Sequence, residues 1–192
     1  MHADRDSPLL EQYCRELLRW NRSMNLTALS EEHLRHVLIE DTWRMGEASR
    51  IAKEETVMDI GAGGGVVGIP LAIWHPEASF VLVDSIRKKT SFLLYTVGIL
   101  GLRNVAVVTT RLEARAFQEE WRGKVDCVCS RAALSHDTLI PLAAPLLAPG
   151  GRIVLWLHSG REVASRWNAG TSSFHASAVG SSIVRLAPTH GR

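Results

Sequence analysis

The sequence predicts an α/β fold, a mainly parallel sheet with helices on both faces, and three observations carry that reading. From Thr56 onward, short apolar runs alternate with segments of helical length. The runs TVMDI, SFVLVD, NVAVVT, KVDCVCS and GRIVLWL are almost continuously apolar, the pattern of strands covered on both faces. A glycine-rich turn follows the first run directly, where such a sheet opens toward a ligand.

The elements follow in order. Ser7-Pro8 predicts a helix start, a capping side chain followed by proline in the first turn. Leu10, Tyr13, Cys14, Leu17 and Leu18 then recur at helical spacing. Residues 21–30 are polar and read as a turn, and a second helix is expected from about Ser30 to Ser49. Between the five strands, helices are expected near 68–75, 85–100, 112–121 and 135–147, the spacing of a doubly wound sheet. Residues 168–192 are rich in Ser, Ala and Gly and read either as a weak hairpin, with SSIVRL as one strand, or as a frayed tail. The division expected is a helical cap at 1–50, a core at 51–167 and a short C-terminal segment at 168–192, within one structural domain.

Composition excludes several classes. Hydrophobic residues make up 46%, which suits a globular core. No apolar run reaches the length of a membrane span, and the first residues lack the pattern of a secretory signal. Three cysteines, without zinc-type spacing, fit a reducing compartment, so a cytoplasmic protein is expected; it is further expected to be a monomer with no membrane or metal partner. The net charge of +2 argues against binding nucleic acid by bulk electrostatics alone. Its distribution is uneven: residues 84–124 carry eight basic and four acidic side chains, and residues 151–192 five and one.

The chemistry-bearing pattern is Asp59-Ile60-Gly61-Ala62-Gly63-Gly64-Gly65, with Gly68 close behind. Glycines there let the backbone turn sharply and approach a ligand, and the next helix presents its N-terminal amides. Asp84 ends the second strand, placed to accept hydrogen bonds from two ribose hydroxyls or simply to cap the helix that begins at Ser85. No Gly-Lys-Ser/Thr follows the glycines, which excludes a P-loop. The form D-x-G-x-G-x-G resembles the loop of S-adenosylmethionine-dependent methyltransferases, with Asp59 entering the turn.

Further segments resemble one family. Trp20-Asn21-Arg22-Ser23-Met24-Asn25-Leu26-Thr27-Ala28 is similar to the W-N-x-x-x-N-L-T-A signature of the bacterial 16S ribosomal RNA guanine-N7 methyltransferases (RsmG), also called glucose-inhibited division protein B (GidB). Arg35-His36 with Asp41-Thr42, the loop GAGGGVVGIP, the run LVDSIRKKTSFL, Arg111-Leu112-Glu113, Ser130-Arg131-Ala132 and Pro145-Leu146-Leu147 through Gly150-Gly151 resemble its other motifs, in order. The resemblance covers about residues 9–157. It implies a Rossmann-like class I methyltransferase fold, S-adenosyl-L-methionine as cofactor, and methyl transfer to N7 of a guanine in 16S rRNA or the small ribosomal subunit.

By that resemblance Gly61, Gly63 and Asp84 contact the cofactor, Leu112 and Glu113 lie beside its adenine, and Arg111 and Arg131 face the RNA or the transferred methyl. Asp59, Gly65 and Arg131 join the expected cofactor-binding set. Guanine N7 carries a lone pair and no proton, so no general base is expected. The chain departs from the family in two extra residues between Leu38 and Asp41, in Val67 where the family has proline, in His158 where it has lysine, and in a short C-terminus. Two other functions remain open: a small-molecule methyltransferase of the same fold, and a cofactor-binding protein that has lost catalysis.

The remaining candidates favour bland readings. His33 and His36 are three apart on a helix with no further ligands in view, so no metal is expected. Cys127 and Cys129 alternate on a buried strand and read as small core residues sharing a face. Asn25 either terminates the first helix or, by the resemblance, belongs to a segment covering the cofactor pocket. One of Trp20, Trp43, Trp74, Trp121, Trp156 and Trp167 could stack a base, but most are expected in the core.

Overall fold

A computed structural model describes residues 7–27, 30–36, 40–131, 135–156, 166–169, 172–179 and 183–188. The elements in chain order are α1 (Pro8–Met24), α2 (Glu31–His36), α3 (Thr42–Ser49), β1 (Thr56–Ile60), α4 (Gly68–Trp74), β2 (Ser79–Asp84), α5 (Arg87–Leu100), β3 (Val105–Thr109), α6 (Arg115–Trp121), β4 (Val125–Arg131), α7 (His136–Ala143), a 3₁₀ turn (Ala144–Leu146), β5 (Leu147–Trp156), β6 (Arg166–Ala169), β7 (Ser172–Val179) and β8 (Ile183–Pro188). One eight-stranded sheet has the order β3-β2-β1-β4-β5-β8-β7-β6. Neighbours from β3 to β5 pair in parallel, and β8, β7 and β6 extend the sheet antiparallel. The chain order reverses between β1 and β4, so a crevice opens at the carboxyl ends of those strands.

Each face of the sheet buries its own apolar cluster. One joins Tyr13, Leu17, Met45, Ile69 and Phe92 from the helices to Val57, Cys127, Cys129 and Val154 from the strands. The other joins Phe117, Leu139 and Ile140 to Met58, Val81, Val128, Phe174 and Leu186. Alternate residues of each strand supply the two clusters, which is why the strands read as continuously apolar.

Several elements differ from expectation. Helix α1 continues to Met24, because its polar last turn still packs Trp20 and Met24 against the core. Asn25 then ends it in a left-handed conformation, φ 49°, its N–H bonding to the Asn21 carbonyl at 3.3 Å. Ser7 makes no side-chain cap; its carbonyl instead takes the N–H groups of Leu10 and Glu11. The single helix expected over 30–49 is two described segments, α2 and α3, with residues 37–39 outside the described residues. Helix α6 starts at Arg115, because residues 111–114 form a turn closed by Ala114 N–H on the Arg111 carbonyl, 3.1 Å. At the C-terminus, β7 and β8 pair with each other, and Phe174, Val184 and Leu186 are buried in the core.

Arg152 ties the middle of β5 to the connection between α3 and β1. Its side chain is only 7% exposed. Nε donates to the Ser49 carbonyl, Nη1 to Glu55 Oε1 (3.0 Å) and the Asp126 carbonyl (3.3 Å), and Nη2 to Glu55 Oε2 (2.6 Å) and the Arg50 carbonyl (3.0 Å). All five guanidinium donors are therefore used, which lets so large a charge sit in the interior.

Burial alone would raise the Glu55 carboxyl. Hydrogen bonds from Arg152 and from the Ala52 N–H, with the arginine charge, outweigh it and hold Glu55 below its ordinary value. A depressed carboxylate stabilises the fold above its unfolded value and loses that contribution as pH falls through the folded one. Glu55→Ala, which strands the Arg152 charge, is expected to cost about 3 kcal/mol at pH 7. In urea unfolding, the gap between wild type and variant should close as pH drops below about 4.5; a gap constant down to pH 3 would mean the ion pair contributes nothing.

Candidate functional site

The crevice at the switch point is a cavity of about 740 Å³. Three connections line it: the glycine loop after β1, the Asp84–Ile86 turn after β2, and the turn after β3 from Thr110 to Glu113. Leu26, Thr27, Lys89 and Arg131 complete the wall. The cavity thus brings together Asp59, Gly61, Gly63, Asp84, Arg111, Leu112, Glu113 and Arg131 from the sequence reading. Gly65 stands apart from the lining: a Cβ there would meet Ile69 Cγ1 at 2.7 Å and Leu93 Cδ2 at 2.8 Å, so that residue faces the core and its lack of side chain serves helix packing. His158 and Ala28 lie outside the described residues.

The glycine loop is held by backbone and acids. Gly61 and Ala62 donate to the Val83 carbonyl at 2.8 and 3.0 Å, extending the β1–β2 pairing past the strand end. Gly63 turns at φ +58°, a region costly for side chains, and aims its N–H at Asp84 Oδ2, 2.9 Å away. Asp84 Oδ1 accepts the Ile86 N–H at 2.9 Å. Asp84 therefore closes the turn ahead of α5, whose own start carries no side-chain cap, and it also braces the loop. A carboxylate offers about four acceptor directions, and the two N–H bonds leave the rest for a ligand.

Asp59 lies beneath the loop, 1% exposed, and accepts the Gly68 N–H at 2.9 Å. A Cβ on Gly68 would collide with Leu82 and approach Asp59 Oδ2 to 2.9 Å, so glycine there allows the helix to start against the carboxylate. Burial raises the Asp59 carboxyl to about 7; the Gly68 hydrogen bond opposes this and the nearby Asp84 charge adds to it.

The contacts of Tyr13 and Thr42 with the loop were not foreseen. Tyr13 donates its hydroxyl to the Gly64 carbonyl at 2.7 Å, and burial pushes that phenol well above its ordinary value, so it stays a donor. Thr42 donates to the Val66 carbonyl at 3.1 Å. Asn21 Oδ1 accepts the Thr27 N–H at 2.9 Å, folding the segment after α1 back so that Leu26 and Thr27 reach the cavity. Asn25 thus terminates the helix and also delivers its neighbours to the site. Tyr13 read as an ordinary core position in a helical stripe, and no sequence signal separates the two roles.

The rim is polar and charged. Arg111 and Glu113 pair at 3.7 Å while 78% and 56% exposed, a contact worth little in water. Leu112 between them is buried, and Gln118 Nε2 holds its carbonyl at 2.7 Å. Arg131, at the end of β4, has its guanidinium carbon 5.7 Å from the Trp156 ring centre. Burial lowers Arg131 from its ordinary value, and Asp41 pulls the other way. Cys127 and Cys129 are buried on one face with their sulfurs 3.9 Å apart, away from the lining. His33 bonds to Ser30 Oγ at 2.7 Å, and among the described residues no group of three or more His, Cys, Asp or Glu is arranged to hold a metal. No described helix is long and apolar enough to cross a membrane.

Comparison with known proteins places this site in a family. A family model described as rRNA small subunit methyltransferase G (GidB) matches residues 6–187. The chain is 36% identical over 148 residues to the ribosomal RNA small subunit methyltransferase G of Polynucleobacter asymbioticus, covering 75% of this chain and 66% of that protein. To the protein of the same name from Roseiflexus castenholzii it is 38% identical over 155 residues, covering 78% and 65%. The matched part thus spans about two thirds of the length of these relatives. Among solved structures, a methyltransferase from Geobacter sulfurreducens superposes with TM-score 0.60 at 13% identity, over 96% of this chain and 90% of that one. A precorrin-6y C5,15-methyltransferase from Geobacter metallireducens gives 0.57 at 16%, over 80% and 89%. The fold is that of the class I methyltransferases, and the chain belongs to the rRNA small subunit methyltransferase G (GidB) family.

Proposed function

We propose that this chain is an S-adenosylmethionine-dependent methyltransferase that acts on N7 of a guanine in small-subunit 16S rRNA. Family membership supports the reading, and the composition of the cavity carries it. The lining joins a glycine loop and a braced carboxylate to an arginine mouth, and contains no histidine or cysteine among the described residues. Bound there, S-adenosylmethionine supplies an electrophilic methyl group on a sulfonium.

The residues fit that cofactor. Asp84 keeps acceptor capacity for ribose hydroxyls after its two N–H bonds. Ile86, 43% exposed, and the buried Leu112 give the lining apolar surface suited to a flat base. Asp84, joined by Asp59 once it has lost its proton, sets negative charge beside the loop for a cationic ligand. In the transfer the N7–methyl bond forms as the sulfur–methyl bond breaks, sulfur keeps the electron pair, and the positive charge passes to the purine. No proton leaves N7, so the protein's task is alignment and electrostatics.

Small ribosomal subunits reconstituted with 7-deazaguanine at the target position test the acceptor. Methylation should vanish there and persist with guanine; continued methylation at the deaza position would return the choice to another atom or a small-molecule acceptor.

Asp84→Ala removes the ribose acceptor and the brace on Gly63. S-adenosylmethionine affinity should fall by about 1.5–3 kcal/mol, and calorimetry finding no change would remove Asp84 from the site.

Asp59 makes cofactor binding depend on pH. It holds a proton below about pH 7, and a cation bound nearby favours the carboxylate, so binding expels the proton. Affinity should therefore rise from pH 5.5 to pH 8, and Asp59→Asn should flatten that rise. Equal slopes in both proteins would place the titrating group elsewhere.

A further inference from the structure

We propose that Trp156 is a positioning residue for methyl transfer: it holds the Arg131 guanidinium by its face, so that the N–H edge stays free to grip the acceptor RNA. The inference rests on the acceptor reading above.

Two arginines on neighbouring strands make the contrast. Arg152 has spent every donor: one carboxylate and three backbone carbonyls saturate its five N–H groups. It is fixed, and it has nothing left to offer a ligand. Arg131 lines the cavity, and among the described residues no carboxylate lies within ion-pair distance of it; Asp41 acts on it only through its charge. A long, half-buried arginine without an ion pair would sample many rotamers. Trp156 removes that freedom. It is the register partner of Arg131, the last pair of the β4–β5 ladder, and its ring lies 5.7 Å from the guanidinium carbon.

The type of contact matters. A carboxylate would hold the guanidinium by its edge, neutralise it and use the donors a phosphate or a purine O6 needs. An indole attracts the cation through its ring face without neutralising it or supplying a competing carboxylate. Trp156 is itself anchored, packed against the cluster that contains Cys127, Cys129 and Val154. The strand ends thus present a pre-set cation at the cofactor cavity, and no hydrogen bond from its guanidinium to another described residue is seen.

The test is steady-state methylation of unmethylated small ribosomal subunits at saturating S-adenosylmethionine. Trp156→Leu should raise KM for the subunits about tenfold, within the range of a partly desolvated cation–π contact, with kcat and cofactor affinity near wild type. Trp156→Phe, which keeps a ring, should recover most of that loss even if its melting temperature matches the leucine variant. In an Arg131→Ala background, Trp156→Leu should have no further effect on KM, because the tryptophan acts through the arginine. Unchanged KM in Trp156→Leu, additive effects in the double variant, or equal losses for leucine and phenylalanine would each overturn the proposal. Failure of the wild type to methylate the subunits is a separate result, one that overturns the acceptor reading.

Discussion

A glycine loop brings polar backbone into a protein interior without side chains to serve it, and much of this molecule is arranged around that constraint. The N–H groups of Gly61 and Ala62 go to Val83, that of Gly63 to Asp84 and that of Gly68 to Asp59. The carbonyls of Gly64 and Val66 are served by Tyr13 and Thr42, two hydroxyls carried in by the N-terminal helices. A buried carbonyl or N–H left without a partner would cost about 1–3 kcal/mol. The N-terminal helices therefore do more than cover apolar surface. They complete the hydrogen bonding of the loop, and an isolated sheet-and-helix core would lack two of its donors.

The same constraint accounts for Asp59. A carboxylate in the core, its proton held to about pH 7, is unfavourable by itself. Its place is set by the Gly68 N–H at the start of α4, which has no partner within its own helix. Packing of that helix against β2 is what requires glycine at 68, since any Cβ would strike Leu82. One acid and one glycine thus fix the angle at which the loop leaves the sheet, and with it the position of Gly63 and the cavity wall.

The parallel strands were legible because each is apolar on both faces, and the cavity's strand-end residues were legible as glycines and aspartates set directly after apolar runs. Strand β6 was not legible: RWNA is too short and too polar to show a period, and it gains its structure from pairing with β7. The end of α1 was misread as a turn because polarity in Asn21 to Met24 hides a helix whose last turn still contributes Trp20 and Met24 to the core. Gly65 was grouped with the other loop glycines by its spacing, whereas it is absent from the cavity lining and a Cβ there would meet Ile69 and Leu93. The roles of Tyr13, Thr42 and Trp156 depend on partners 24 to 51 residues away or on an adjacent strand, and no local pattern encodes such a pairing.

The charges around the cavity also bear on what Arg131 can do in the proposed reaction. Asp59 and Asp84 line the cavity at the glycine loop, and Arg131 lines it at the end of β4. This field favours a cation bound against the loop. A purine held by Arg131 would gain positive charge in the transfer, so Arg131 as a bare cation would oppose it. Two things lessen that opposition. The indole of Trp156 faces the guanidinium and offsets part of its field. An RNA phosphate gripped by the free N–H edge would neutralise much of the remainder. The cation at the mouth is then compatible with methyl transfer only when RNA is in place. On the proposed reading Arg131 holds the acceptor, and the chemical step is left to alignment across the glycine loop.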